Sequence, residues 1–286
     1  MNRIAAAGIA LVCVLGIGVR AHQAHAEAVD MLLVLAADVS RSIDEGEFDL
    51  QRKGYAAAMT NPKVLRAIVN GRHHAIAVTF IEWAGAAEQK VVVDWTVVRD
   101  EEGAGGVAAA MLAAPRSYVG RTSISAAIDF AMTRFAVAPA TADKKIIDVS
   151  GDGTSNAGRA VPEARDDAVA KGVTINGLAI INNAANPGYA FHTHPPGGLP
   201  KYYEENVIGG SGAFVLQVEN FDTFSEAITR KLLAEIAAAS SPRKSAAARR
   251  PGRTDRLLIP SAVHLCVATG VTDGAGSFPP RTNDRR

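Results

Sequence analysis

The stretch that decides the fold is residues 31–42, which read MLLVLAADVSRS. Residues 31–37 are apolar without interruption, and the run ends at Asp38. An apolar run of this length, with no polar residue at alternate positions, is typical of a strand buried on both faces of a parallel sheet. Polar residues follow at once, so we expect the chain to leave the sheet just after Asp38.

Outward from this strand, the sequence alternates between strand and helix patterns. Apolar, β-branched runs predict further strands at residues 74–83, 89–95, 145–150, 173–181 and 213–218. Helical spacing and capping signals predict helices at residues 44–61, 104–114, 123–135, 162–171 and 223–239. Helices between strands imply right-handed crossovers, whereas the short link 84–88 allows only an antiparallel hairpin. The predicted fold is therefore α/β, a doubly wound and mainly parallel sheet with one antiparallel edge hairpin and helices on both faces.

The first 26 residues have the pattern of a signal peptide. Arg3 precedes the uncharged apolar stretch 4–19, and Ala24-His25-Ala26 is a small-x-small cleavage pattern. A membrane anchor is the alternative, but sixteen apolar residues are short for a span. We therefore expect cleavage after Ala26, a secreted or periplasmic protein, and no stable membrane span in the mature chain.

Charge separates the rest of the chain into two parts. Overall, 30 basic and 29 acidic residues nearly cancel, with 48% hydrophobic residues, as in a globular protein. Residues 27–240, the predicted domain, hold 19 basic and 26 acidic residues, whereas residues 241–286 hold nine and three. We interpret 241–286 as a basic, mostly disordered tail, or alternatively a docking peptide. The acidic domain and a tail with Phe278 as its single aromatic residue argue against nucleic-acid binding.

Three predicted loops, each at the end of a strand or the start of a helix, carry oxygen donors. Asp38, Ser40 and Ser42 follow the first strand, Thr122 opens a helix, and Asp152 ends a later strand within Gly-Asp-Gly. Because the carboxyl ends of parallel strands share one sheet edge, these five residues are expected to converge. Carboxylate and hydroxyl oxygens suit a small divalent cation. Individually, Asp38 and Thr122 are also ordinary turn and helix-cap residues.

Taken together, these motifs resemble the metal-ion-dependent adhesion site of von Willebrand factor type A domains. The shared pattern is D-x-S-x-S, then a Thr that follows Gly and opens a helix, then Asp-Gly after a strand, and the resemblance covers about residues 29–239. Residues 202–214 and 231–236 are similar, more narrowly, to an uncharacterised secreted bacterial branch of that family. The resemblance implies a protein that is not an enzyme. It would hold Mg²⁺, with Mn²⁺ or Ca²⁺ as alternatives, and capture a protein partner through an acidic side chain at an open coordination position.

Two positions depart from a simple match to that family. Arg41 stands where the family often has Gly, and it would either repel the cation or reach a partner's carboxylate. Asp148 lies inside a predicted buried strand, so it requires a polar or charged partner and is interpreted as structural.

Other functions find less support in the sequence. The chain has no G-x-S-x-G, H-E-x-x-H, phosphate-loop or dinucleotide-binding motif. A phosphatase-like metal-dependent hydrolase using the same carboxylates, or a metal-free structural module, remains as the alternative. His192 and His194 have the spacing to bind Zn²⁺ or Cu²⁺ from an extended segment, but a mobile loop is the favoured interpretation. That loop would border the binding surface, where contact area would come from nearby aromatic residues: Tyr189, Phe191, Tyr202 and Tyr203.

Overall fold

The computed structural model describes residues 26–181, 190–219 and 223–240. Its strands are β1 (Glu27–Ala28), β2 (Leu32–Asp38), β3 (Ile76–Trp83), β4 (Gln89–Val98), β5 (Ala140–Thr141), β6 (Lys145–Gly151), β7 (Val173–Ile180) and β8 (Val215–Val218). Its helices are α1 (Glu45–Met59), α2 (Pro62–Val69), α3 (Glu101–Ala113), α4 (Ile124–Arg134), α5 (Val161–Ala170), α6 (Ala190–Thr193), α7 (Leu199–Asn206) and α8 (Phe224–Ser240). The predicted tail, 241–286, and nearly all of the predicted signal peptide, 1–26, lie outside the described residues.

Six strands form the central sheet in the order β4-β3-β2-β6-β7-β8. The pair of β3 and β4 is antiparallel, and the other four pairs are parallel. Helices cover both faces, so the predicted doubly wound sheet with one antiparallel edge hairpin is confirmed. The two-residue strands β1 and β5 pair separately in parallel.

Strand β2 lies inside the sheet, and its apolar side chains pack into two hydrophobic cores, one on each face. Leu33 and Leu35 pack into the core that includes Tyr55 of α1. Val34 and Ala36 point the other way, into the core that includes Ile128 of α4. Alternation along a strand therefore explains why every residue of β2 is apolar up to Asp38.

The prediction was incomplete around Pro62. We expected Asn61-Pro62 only to end the first helix, but Pro62 also begins α2. The Asn61 side chain accepts a hydrogen bond from the Lys63 amide at 2.8 Å, which caps this second helix. Proline suits a first helical position because its missing N–H would have no helical partner there.

Two other boundaries also differ from the sequence prediction. The β4 strand continues to Val98, and the next helix begins at Glu101, where the Asp100 side chain accepts from the Gly103 amide at 2.9 Å. The α7 helix was not predicted, although Leu199 and Tyr203 bury its inner face.

No helix in the described parts of the chain combines the length and apolar character needed to cross a bilayer.

Asp148 has the buried partner that its position requires. The Lys231 Nζ of α8 lies 2.7 Å from Asp148 Oδ1 and 2.7 Å from Glu235 Oε1, and all three side chains are fully buried. Asn176 also donates to Glu235 Oε1, at 2.8 Å. Burial raises the pKa of Asp148 to about 7, although the Lys231 ammonium opposes that rise. These contacts fasten α8 to the sheet through charge as well as apolar packing.

Candidate functional site

The structure places all five candidate ligands at the carboxyl edge of the sheet. Asp38 ends β2, Asp152 follows β6, and Thr122 lies just before α4. Ser42 Oγ donates to Asp152 Oδ1 at 2.6 Å and lies 3.3 Å from Ser40 Oγ. Ser42 and Thr122 line the same small cavity. The convergence expected from the strand ends is therefore present in the folded chain.

The loop after β2 is shaped by its own aspartate and by an arginine from a distant segment. Asp38 Oδ1 accepts a hydrogen bond from the Ser40 amide at 2.7 Å, which tightens the turn. The Arg116 Nη2 donates to the carbonyl oxygens of Val39 and Ser40, both at 2.9 Å, and of Ile43 at 2.8 Å. With its side chain only 8% exposed, Arg116 fixes the backbone on which the two serines stand. Sequence reasoning missed Arg116 because nothing local to position 116 indicates these contacts.

Asp38 and Asp152 place two interacting carboxyl groups in a buried environment. Asp38 and Asp152 are both 0% exposed. Within the described residues, Asp38 Oδ2 has no hydrogen-bond partner. Burial raises the pKa of the Asp38 carboxyl well above its ordinary value, and the neighbouring Asp152 raises it further. Hydrogen bonds from Ser40 and the charge of Arg116 lower this pKa only in part.

This environment fits a divalent cation. A buried carboxylate with an unpartnered oxygen is costly, and a cation beside it would remove that cost. The donor set of two carboxylates and three hydroxyls consists of hard oxygen atoms, which suit Mg²⁺, Mn²⁺ or Ca²⁺. The described residues contain no group of three or more His, Cys, Asp or Glu side chains placed to hold a metal, so the hydroxyls are essential to any site here.

A cavity of about 90 Å³ opens beside these donors, with Arg41 and Arg121 in its lining. Arg41 is exposed, and within the described chain its side chain makes no hydrogen bond or ion pair. Arg121 Nη2 donates to the Asn156 carbonyl oxygen at 2.5 Å, and Asn156 Oδ1 accepts from the Thr122 amide at 3.0 Å. Asn156 therefore joins the Thr122 loop to the loop after β6, a link that the sequence did not reveal.

His192 lies at the candidate site, whereas His194 does not share its contacts. His192 Nε2 is 3.0 Å from Thr122 Oγ1, and Nδ1 is 3.2 Å from Thr154 Oγ1. Burial lowers the pKa of His192, which favours the neutral ring. His194 Nδ1 is instead 2.9 Å from the Thr193 hydroxyl. The loop thus reaches the candidate site at His192, whereas residues 182–189, with Tyr189, lie outside the described chain.

The aromatic residues assigned to the binding surface behave differently from one another. Phe191 is 98% exposed, next to His192 in α6. The Tyr202 hydroxyl accepts a hydrogen bond from the Ser155 amide at 3.1 Å. The prediction was wrong for Tyr203, which is 0% exposed because α7 turns its ring into the core. Burial, then the charges of Asp38 and Asp152, raise the pKa of Tyr203 well above its ordinary value.

Solved structures share this fold at low sequence identity. Proximal thread matrix protein 1 from the mussel byssus, in a structure with a zinc-occupied MIDAS motif, matches 75% of this chain and 49% of its own, with a TM-score of 0.54 and 18% identity. The pilus adhesin SpaC of Lactobacillus rhamnosus GG, in its open conformation, matches 74% of this chain and 30% of its own, with a TM-score of 0.54 and 12% identity. A von Willebrand factor type A protein from Catenulispora acidiphila matches 73% of this chain and 43% of its own, with a TM-score of 0.49 and 15% identity.

The matrix protein and the adhesin, both at a TM-score of 0.54, show that this chain has their fold, which is von Willebrand A-like. The chain spans about half the length of the matrix protein and less than a third of the adhesin. A search of curated proteins finds no match. One sequence family, described as "Protein of unknown function (DUF1194)", matches residues 28–240, which is most of the chain. The protein therefore belongs to the DUF1194 family and has a von Willebrand A-like fold.

Proposed function

We propose that this protein is a secreted or periplasmic binding module that captures an acidic side chain of a protein partner through a divalent cation. The cation, Mg²⁺ by preference and Mn²⁺ or Ca²⁺ as alternatives, would be held by the five candidate ligands: Asp38, Ser40, Ser42, Thr122 and Asp152. The observation that carries the proposal is the buried Asp38 carboxylate, whose Oδ2 has no hydrogen-bond partner in the described chain and whose pKa is raised beside Asp152. A binding role is also compatible with adhesin and matrix proteins of the same fold.

Charge balance supports an acidic partner. A bound divalent cation would supply two positive charges and a coordination position open to a carboxylate oxygen. Asp38 and Asp152, both ionised, would balance those two charges, and the serine and threonine ligands are neutral. A further carboxylate from the partner would then need positive charge nearby. Arg41 and Arg121 supply it from the lining of the cavity.

The size of the cavity favours one side chain over a small-molecule substrate. It holds about 90 Å³, whereas pockets for drug-sized ligands usually measure about 300–1,000 Å³. Its lining residues among the described chain include Arg, Ser, Thr, Asn and His but no lysine of the kind that a phosphatase-like site would need. We therefore favour binding without bond cleavage over the hydrolase alternative.

Secretion forms part of the proposal because it decides where the partner is met. It rests on the signal-peptide pattern of residues 1–26. The basic residues 241–286 are proposed as a separate tail rather than part of the cation site.

Titration calorimetry of the purified, chelator-treated full chain with Mg²⁺ and then Mn²⁺ tests the proposal. We expect saturable 1:1 binding that is lost in Asp38→Ala. Asp49→Ala is the matched control, because Asp49 is an exposed carboxylate of α1 whose one ion pair within the described residues is with Lys53 at 3.6 Å. Absence of binding in the wild-type chain, or equal binding in both variants, would overturn the proposed site.

Partner chemistry is tested separately with the Mg²⁺-loaded chain. A peptide array in which each peptide carries a single Asp or Glu, with Asn or Gln counterparts at the same positions, offers the carboxylate as the only variable. We expect the bound peptides to lose affinity when Asp or Glu is replaced by Asn or Gln, and when a chelator is added. Binding that survives both changes would contradict capture through a cation.

A further inference from the structure

We infer that His192 is a positioning residue for the cation site: its Nε2 accepts a hydrogen bond from the Thr122 hydroxyl and so directs the Thr122 oxygen lone pairs towards the cation. The inference rests on the proposed function, because it takes Thr122 as a ligand. It assigns a role to a residue of α6, which the D-x-S-x-S pattern does not include.

As a cation ligand, Thr122 would keep its hydroxyl hydrogen, which needs an acceptor. A neutral hydroxyl binds a cation through an oxygen lone pair and must still donate its hydrogen elsewhere. Thr122 is almost fully buried, so bulk water is a poor acceptor for that hydrogen. Among the described residues, the one hydrogen-bond partner of Thr122 Oγ1 is His192 Nε2, at 3.0 Å.

The second ring nitrogen supports the same arrangement. If Nε2 accepts, a neutral imidazole must carry its hydrogen on Nδ1. His192 Nδ1 lies 3.2 Å from Thr154 Oγ1, which can accept that hydrogen. The resulting chain runs from Nδ1–H to Thr154, and from the Thr122 O–H to Nε2. Outer-sphere hydrogen bonds of this kind orient metal ligands in proteins.

The backbone holds the histidine in this position. The Thr154 amide donates to the His192 carbonyl oxygen at 3.0 Å, which ties α6 to the loop after β6. Gly153 lies directly beneath the ring, and a Cβ at that position would come within 2.2 Å of Nε2. The glycine after Asp152 therefore leaves the space that the imidazole occupies.

A direct metal bond from His192 is the competing role. The two roles differ in measurable ways. A nitrogen ligand would favour Zn²⁺ over Mg²⁺ and would fill a coordination position. An acceptor that only orients Thr122 would strengthen binding of Mg²⁺ and Mn²⁺ alike and leave the open position to the partner.

The test compares substitutions of similar size in the purified full chain. His192→Leu fills the space but cannot accept a hydrogen bond, whereas His192→Gln retains an acceptor oxygen. His194→Leu is the matched control, because His194 is exposed and contacts the adjacent Thr193. Calorimetry with Mg²⁺ and with Mn²⁺ gives the affinities, circular dichroism checks folding, and pulsed electron paramagnetic resonance of the Mn²⁺ form reports nitrogen bound to the ion.

We expect His192→Leu to lower the affinities for Mg²⁺ and Mn²⁺ by about tenfold or more. His192→Gln should recover most of that loss, and His194→Leu should match the wild type. Equal loss in the Leu and Gln variants, no loss in the Leu variant, or imidazole nitrogen coupling in the wild-type Mn²⁺ spectrum would each overturn the inference. If His192→Leu does not fold, Thr154→Val serves instead, and unchanged affinities in that variant would also overturn it. Absence of cation binding by the wild type would refute the proposed function itself, which is a different outcome.

Discussion

Lys231→Met should be among the most destabilising single changes in the domain. The substitution removes an ammonium that lies 2.7 Å from Asp148 and 2.7 Å from Glu235, with all three side chains fully buried. Methionine is of similar length, so the main loss is charge rather than volume. Two buried carboxyl groups are then left without their cation.

The magnitude follows from the cost of an uncompensated buried charge. Breaking a buried pair by removing one partner costs about 3–5 kcal/mol, out of a total stability of about 5–15 kcal/mol. For a domain of this size, each kcal/mol shifts the melting temperature by about 2–4 °C. We therefore expect Lys231→Met to lower the melting temperature at neutral pH by roughly 6–20 °C.

The loss should also depend on pH. The pKa of Asp148 is already raised to about 7 in the folded chain, from an ordinary value of 3.8, because burial disfavours its charge. A carboxyl that holds its proton more tightly when folded loses stabilisation as pH rises between those two values. Without Lys231 the folded pKa should rise further, so the penalty should be smaller at pH 5 than at pH 8.

Thermal and urea unfolding of the full chain at pH 5 and pH 8 measure this effect. Lys53→Met is the matched control, because Lys53 is exposed and its contact with Asp49 is 3.6 Å long. Adding Asp148→Asn to Lys231→Met should restore part of the stability, because it removes the uncompensated buried charge of the Asp148 carboxylate. A Lys231→Met variant as stable as the Lys53→Met control at pH 8 would show that Lys231 does not stabilise the buried carboxyl groups.

Three further predictions concern the candidate site. Arg116→Met should lower the free energy of unfolding in urea by about 3 kcal/mol, because three backbone carbonyl groups lose a charged donor. Calorimetry should also show weaker Mg²⁺ binding. Unchanged Mg²⁺ affinity would show that Arg116 does not support the cation site. Gly153→Ala should weaken Mg²⁺ binding in the same titration, since the added Cβ would displace the His192 ring, and wild-type affinity there would show that the ring position is unimportant. Arg41→Ala should leave Mg²⁺ affinity unchanged but weaken binding of an acidic peptide, more so at low ionic strength; an equal peptide affinity would exclude a partner contact at Arg41.

Much of the fold could be predicted because local pattern and burial agree. The uninterrupted apolar run ending at Asp38 identified a central strand, and the short link 84–88 identified the antiparallel hairpin. Strand ends also identified where Asp38 and Asp152 would lie close together, since parallel strands bring their carboxyl ends to one edge.

The parts that were missed depend on contacts between distant segments. Pro62 both ends one helical pattern and begins another, and local signals did not separate the two roles. The contacts of Arg116 with the β2 loop span more than 70 positions, and the contact of His192 with Thr122 spans 70. Tyr202 and Tyr203 are adjacent and similar in chemistry, yet the orientation of α7 buries only the second completely. Such outcomes follow from packing, which a single sequence does not specify locally.

The central claim is that one divalent cation binds among Asp38, Ser40, Ser42, Thr122 and Asp152. The most direct measurement is anomalous diffraction from crystals of the purified chain grown or soaked with Mn²⁺. We expect a strong anomalous peak in contact with the three hydroxyl oxygens of this set, and no such peak in crystals of Asp38→Ala. A Mn²⁺ peak at another position, or none at this edge of the sheet under saturating Mn²⁺, would contradict it.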